Sequence, residues 1–110
     1  MKINKLKNSF RKFKANYISQ DHLEEVLENA IESLSSYTVE FDKNRTQLRK
    51  FEGDKVEKIQ NLLFSAIRHV KAKEYEKVIK KISEGKKIRE KMIIAIKTIN
   101  LYNDAKKLKK

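Results

Sequence analysis

The residues of this chain best suited to chemistry are two histidines, His22 and His69, and a file of carboxylates at Glu24, Glu28 and Glu32. None of them forms a catalytic or metal-binding pattern. A zinc site takes thiolates or histidines grouped at short spacing. Cysteine is absent here, and the two histidines stand far apart in sequence. A carboxylate di-iron bundle takes Glu-x-x-His motifs on its helices, and no such motif occurs. Gly53 and Gly85, the only glycines, lie outside any Gly-rich run that could cradle a phosphate. No serine sits in a Gly-x-Ser-x-Gly elbow. Glu24, Glu28 and Glu32 share a helix face with Glu25 beside it. Burial of such a cluster would raise a carboxylate pKa, but the pattern reads as a solvated acidic face set against basic helices. His22 reads as a solvated first-turn residue and His69 as a helix-surface residue. The expectation is a non-enzymatic protein with no cofactor and no metal.

Two other patterns point to binding. In the last third of the chain, Ile88, Met92, Ala95, Ile99 and Tyr102 form one apolar stripe. A second stripe runs through Ile94, Leu101 and Leu108, joined by Ala105. A helix apolar on two faces has to be covered on both, by neighbouring helices of the same chain or by a partner. A protein partner or a second copy is the first expectation, with these four residues as the binding face. The alternative is sequence-tolerant binding of an RNA or DNA backbone. Lys73, Lys77, Lys80, Lys87 and Lys91 recur at helical spacing, interrupted by Glu84 and flanked by Lys81, Lys86 and Arg89, and Arg45, Arg49 and Lys50 form a second basic group. Such patches neutralise phosphates without reading bases. Arginine, the better phosphate and base reader, occurs only five times among 27 basic residues, and no aromatic residue interrupts the stripe to stack on bases. The same stripe is what a lysine-rich solvated face looks like.

These residues have to be positioned by helices. The chain has 110 residues, two glycines and no proline, too few turn-formers for a β-rich domain. At 39% hydrophobic residues it can build one modest core. Charge is segregated. Residues 1–16 hold six basic side chains and no acid. Residues 17–42 hold seven acids and no Lys or Arg. Residues 43–110 hold 21 basic side chains against eight acids, for a net charge of +12. Packing neighbouring helices against each other would set the acidic segment against opposite charge.

Apolar spacing predicts four helices, at approximately 2–18, 21–51, 54–71 and 74–106. The first carries Ile3, Leu6, Phe10, Phe13 and Tyr17 in one stripe. Its basic, amphipathic character also suits a membrane surface, though any helix packed on a core looks the same. Asp21 with Glu24 reads as a capping box opening the second helix. That helix has a seam of Leu23, Leu27, Ala30, Leu34, Tyr37, Phe41, Asn44, Leu48 and Phe51, alternating four and three as in coiled coils. The weak helix formers at 35–39 allow a kink. Gly53 closes the second helix, and Asp54 with Glu57 is a second capping box. The third helix has Val56, Ile59, Leu63, Ala66 and Val70, broadened by Leu62, Phe64 and Ile67, which implies cover on several sides. The apolar phase slips after Val70, so Lys71-Ala72-Lys73 reads as a turn rather than a stutter. Gly85 falls on the last seam, either as a close-packing point or as a helix end.

The expected architecture is all-α: one domain over 1–110, a three- or four-helix, largely antiparallel bundle with long coiled-coil-like helices. Its expected core is Leu6, Phe10, Phe13, Leu27, Leu34, Phe41, Leu48, Ile59, Leu63, Ile67, Val78, Ile82, Ile88, Met92, Ala95 and Ile99. The longest apolar run, Met92 to Ile96, is too short for a membrane span. No signal-peptide pattern is visible, so a cytoplasmic location is expected, with non-classical secretion left open.

Phe51-Glu52-Gly53 between two long helices resembles the Trp-x-Gly hairpin turn of the WXG100-type secreted proteins, over residues 21 to about 84. That likeness implies a secretion-associated helical hairpin. Phe51 stands where that family has Trp, no Tyr-x-x-x-Asp/Glu signal ends the chain, and the chain is far more basic. Four helices in a basic chain of this size are also similar to the bacteriocin immunity proteins and to the small helical subunits of RNA-guided defence complexes. No motif carries those likenesses, and the chain is assigned to none of these families.

Overall fold

Helix α1 (Ile3–Lys14) turns Leu6 into the core, with Ile3, Phe10 and Phe13 packed against it. It ends four residues earlier than its apolar stripe suggests. Asn16 takes φ 65°, and the Asn16 and Tyr17 amides donate back to the Phe13 and Lys12 carbonyls. That pair of bonds is a Schellman closure, usually built on glycine but open to asparagine. The reversal throws Tyr17 out of the stripe and into solvent.

Helix α2 (Gln20–Asp42) is capped by Ser19, whose hydroxyl accepts from the His22 amide at 3.1 Å. The cap is therefore Ser19 and not Asp21, which lies in the first turn, where a carboxylate favours the helix dipole. The helix runs through the weak formers at 35–39 and breaks at Lys43–Asn44. Helical backbone resumes at Arg45, Thr46 and Leu48, with the Leu48 amide donating to the Asn44 carbonyl at 2.9 Å. The break leaves the apolar phase intact: Leu23, Leu27, Ala30, Leu34, Phe41 and Leu48 are all buried, and Asn44 is half-buried. A computed structural model describes residues 3–46, 48 and 55–108, excluding the side chains of Tyr37 and Glu40. The expected Gly53 stop, the Asp54 cap and the 51–53 turn lie outside the described residues.

Helix α3 (Lys55–Lys71) buries Val56, Ile59, Leu63, Ala66 and Val70. Its wider face is not covered as expected: Phe64 is 63% and Ile67 40% exposed, so Ile67 leaves the core set. The neighbours of α3 are α2 and α4, and they cover one side of it. A second Schellman closure then forms at Lys73, with φ 62° and the Lys73 and Glu74 amides donating to Val70 and His69. The turn at 71–73 is thus real.

Helix α4 (Tyr75–Leu108) has 34 residues, about 51 Å at 1.5 Å per residue. It buries Tyr75, Val78, Ile79, Ile82, Gly85, Met92 and Ile99, with Ile88 and Ala95 partly buried. The described residues are all-helical, and the helices pack as a bundle around one core. Its most extensive contact is α3 on α4, with α1 lying on α2 and α4. The body measures 63 × 21 × 16 Å. Its radius of gyration of 17.0 Å exceeds the ~13 Å of a compact chain near this length, because α4 outruns its neighbours.

Gly85 sits within α4 as a close-packing point, not a helix end. A Cβ there would meet Leu34 Cδ1 at 3.5 Å, an ordinary contact. Glycine inside a helix costs up to about 1 kcal/mol relative to alanine. Gly85→Ala should therefore raise stability by about 0.5–1 kcal/mol in urea unfolding, while Gly85→Leu, which has to displace Leu34, should lower it.

Candidate functional site

Three surfaces stand out, and the first is structural. The turns after α1 and α3 lie at the same end of the bundle. There Gln20 Nε2 donates to Tyr75 Oη at 2.7 Å, and Tyr75 Oη donates to Glu24 Oε1 at 2.7 Å. Lys73 Nζ donates to the same Glu24 oxygen, and the Phe13 ring meets Tyr75 edge-on at 5.5 Å between centroids. Beside this clasp, Glu74 accepts from Lys77 Nζ and lies 3.3 Å from His69 Nδ1. Lys73 and Tyr75 hold the Glu24 carboxyl below the usual carboxylate range. Lys77 and then His69 do the same for Glu74. The Lys73 ammonium is pushed up by Glu24, and the Tyr75 phenol is pushed up by burial and then by Glu24. Glu24, Tyr75, Lys73 and Glu74 each have a partner here, and the first three fasten α2 to the start of α4. His69 is half-buried rather than on the open helix surface. His22 is exposed, as expected. Among the described residues, no group of three or more His, Asp or Glu could hold a metal ion, and no helix is long and apolar enough to cross a membrane.

The second surface is the distal half of α4. Ile94 is 65%, Leu101 70% and Leu108 88% exposed, and Ala105 is exposed with them. The second stripe is therefore left open by the rest of the described chain. Every side chain from Asn100 to Leu108 is exposed. The helix extends there by propagation from its packed half, the step that needs no new nucleus. Lys106 Nζ lies 5.5 Å from the Tyr102 ring centroid one turn back. Tyr102, expected on the core stripe, is also exposed.

The third is a basic groove of about 680 Å³ between α1 and α4, lined by Lys7, Arg11, Lys77, Lys80, Lys87, Glu76 and Glu84 among others. It gathers Lys77, Lys80 and Lys87 from the expected lysine stripe, but not all of that stripe. Lys73 stands in the turn before α4 and is tied to Glu24, so it does not continue the stripe. Lys91 is exposed beyond the groove, while Lys81 and Arg89 are half-buried. Arg45 is half-buried and pairs with Asp42 at 3.3 Å. Arg49 and Lys50 lie outside the described residues. Lys7 and Arg11 are the residues that sequence reasoning missed. They directly follow Leu6 and Phe10 of the apolar stripe in sequence, and only the packing of α1 on α4 sets them across from the lysine stripe.

No protein-family model, curated protein or solved structure matches this chain.

The clasp fixes a pH response. Glu24 and Glu74 titrate lower in the folded chain than their ordinary value of 4.5. The unfolded chain therefore binds protons first as pH falls, and their stabilisation is present above about pH 4.5 and lost below it. Lys73 acts at the opposite end: its contribution holds below its ordinary value of 10.5 and is lost as pH rises through the higher folded value. Urea midpoints should be level near neutrality and fall below pH 4.5. Replacing Glu24 and Glu74 together with Gln should make that acid fall shallower.

Proposed function

We propose that this chain is a non-enzymatic interaction module that pairs with a second copy of itself through the distal half of α4. The observation carrying this reading is the open file of Ile94, Leu101 and Leu108 on a helix that extends beyond its own bundle. The three residues are spaced by heptads, the period at which two helices keep one seam in contact. A second copy fits this face for two reasons. Ile94 and Leu108 lie one heptad on either side of Leu101, so a two-fold axis at Leu101 brings Ile94 of one copy onto Leu108 of the other. Lys97 lies one turn before Leu101 and Asp104 one turn after it, so the same axis sets each lysine beside the other copy's aspartate. A surface that is complementary to itself in both shape and charge is what an isologous dimer uses.

The same reading takes the monomer as a largely antiparallel bundle with coiled-coil-like seams. Short closures at Asn16 and Lys73 and the four–three seam of α2 support it. Helix pairing in the dimer then extends a packing mode already used inside each chain.

Light scattering over a concentration series tests the proposal. Wild type should pass from monomer to dimer. Leu101→Glu, which removes two leucines from each dimer seam and adds two facing charges, should weaken pairing about 100-fold or more, with helicity by circular dichroism nearly unchanged. Lys97→Glu should weaken it several-fold, and adding Asp104→Lys should restore it. A monomer at every concentration contradicts self-association. Loss of helicity in Leu101→Glu would put Leu101 in the monomer core.

A further inference from the structure

We infer that the groove between α1 and α4 is a binding site for the phosphodiester backbone of nucleic acid, recognised without regard to base sequence. Its walls come from two helices, with Lys7 and Arg11 on α1 facing Lys77, Lys80 and Lys87 on α4. Against these five cations stand Glu76 and Glu84. Lys77 is tied to Glu74, but Lys7, Arg11, Lys80 and Lys87 have no ion-pair partner among the described residues. Four cations along one groove, held by the packing of two helices, cost their own mutual repulsion. Phosphates placed among them offset that repulsion, and the polyanion's condensed counterions are released as they bind.

The form of the site selects the ligand class. Lys77 to Lys87 spans about 15 Å of helix, so the groove tracks a linear anion over several charges and is oversized for a single phosphate. Among the described residues, no aromatic ring lines it to stack on bases, and Arg11 is its only arginine. Backbone neutralisation is thus available and base readout is not. A lipid surface fits less well. An interfacial helix lowers its apolar face into the membrane, whereas α1 directs Leu6, Phe10 and Phe13 into the protein core.

The test is fluorescence anisotropy of labelled random-sequence RNA and DNA across a salt series, with phosphatidylglycerol vesicles measured in parallel. Four neutralised phosphates predict that affinity falls ~50-fold for single strands and ~150-fold for duplex between about 50 and 200 mM salt. The double variant Lys7→Glu/Arg11→Glu should lower the logarithmic salt slope by roughly half. The double variant Lys58→Glu/Lys71→Glu, an equal charge change on exposed α3 positions away from the groove, should leave it nearly unchanged. Circular dichroism checks that both variants fold, and Lys80→Glu/Lys87→Glu repeats the test from the α4 wall if the α1 variant does not. Equal loss in the groove and control variants would reduce the effect to overall charge and overturn the site. Absence of nucleic-acid binding at low salt, or binding to vesicles alone, would overturn it as well.

Discussion

Helix α4 is twice as long as the helix it packs against most, 34 residues against 17 in α3, and this mismatch governs the rest of the molecule. Hydrophobic cover has to come from elements that run alongside. Among the described residues, helices of 12, 23 and 17 residues and the helical backbone at Arg45, Thr46 and Leu48 cover α4 as far as Ile99 and no further. The buried positions follow suit. They are dense from Tyr75 to Gly85, thin to Met92 and Ile99, and end there. Beyond that point the helix carries apolar residues with no partner in its own chain among the described residues.

Two devices set where α4 starts and which way it faces. The Schellman closure at Lys73 ends α3 and starts α4 within a few residues. The Glu24–Tyr75–Lys73 clasp then ties that start to α2. Tyr75 serves as both core residue and hydrogen-bond donor, its ring against Phe13 and its hydroxyl on Glu24. With this end fastened, α1 lies along α4, and the basic groove follows from that contact.

Much of this was legible in the sequence because periodicity reports burial. The described α2 seam positions from Leu23 to Leu48 held through an unforeseen break at 43–44, since the break preserved phase. The second stripe of α4 was visible for the same reason, although spacing alone left open what covers it. The misplaced features have separate causes. Asn16 closes α1 in the left-handed region without glycine, so α1 looked four residues longer than it is and Tyr17 looked buried. Ser19 caps α2 because the chain reverses just before it, which made Asp21 a first-turn residue. Ile67 looked like core because a broad apolar face implies neighbours on several sides, and the described neighbours of α3 leave it exposed. Lys7 and Arg11 carry no local signal at all, because the groove arises from contact between the first and last helices.

The division of α4 into a covered stretch and an open end is best tested by amide hydrogen exchange at two protein concentrations, with peptides spanning 75–99 and 100–108. The account predicts strong protection of 75–99 at both concentrations, and protection of 100–108 that is weak in dilute protein and rises with concentration as copies pair. Strong, concentration-independent protection across 100–108 would mean that the monomer itself covers this end, and would contradict the account.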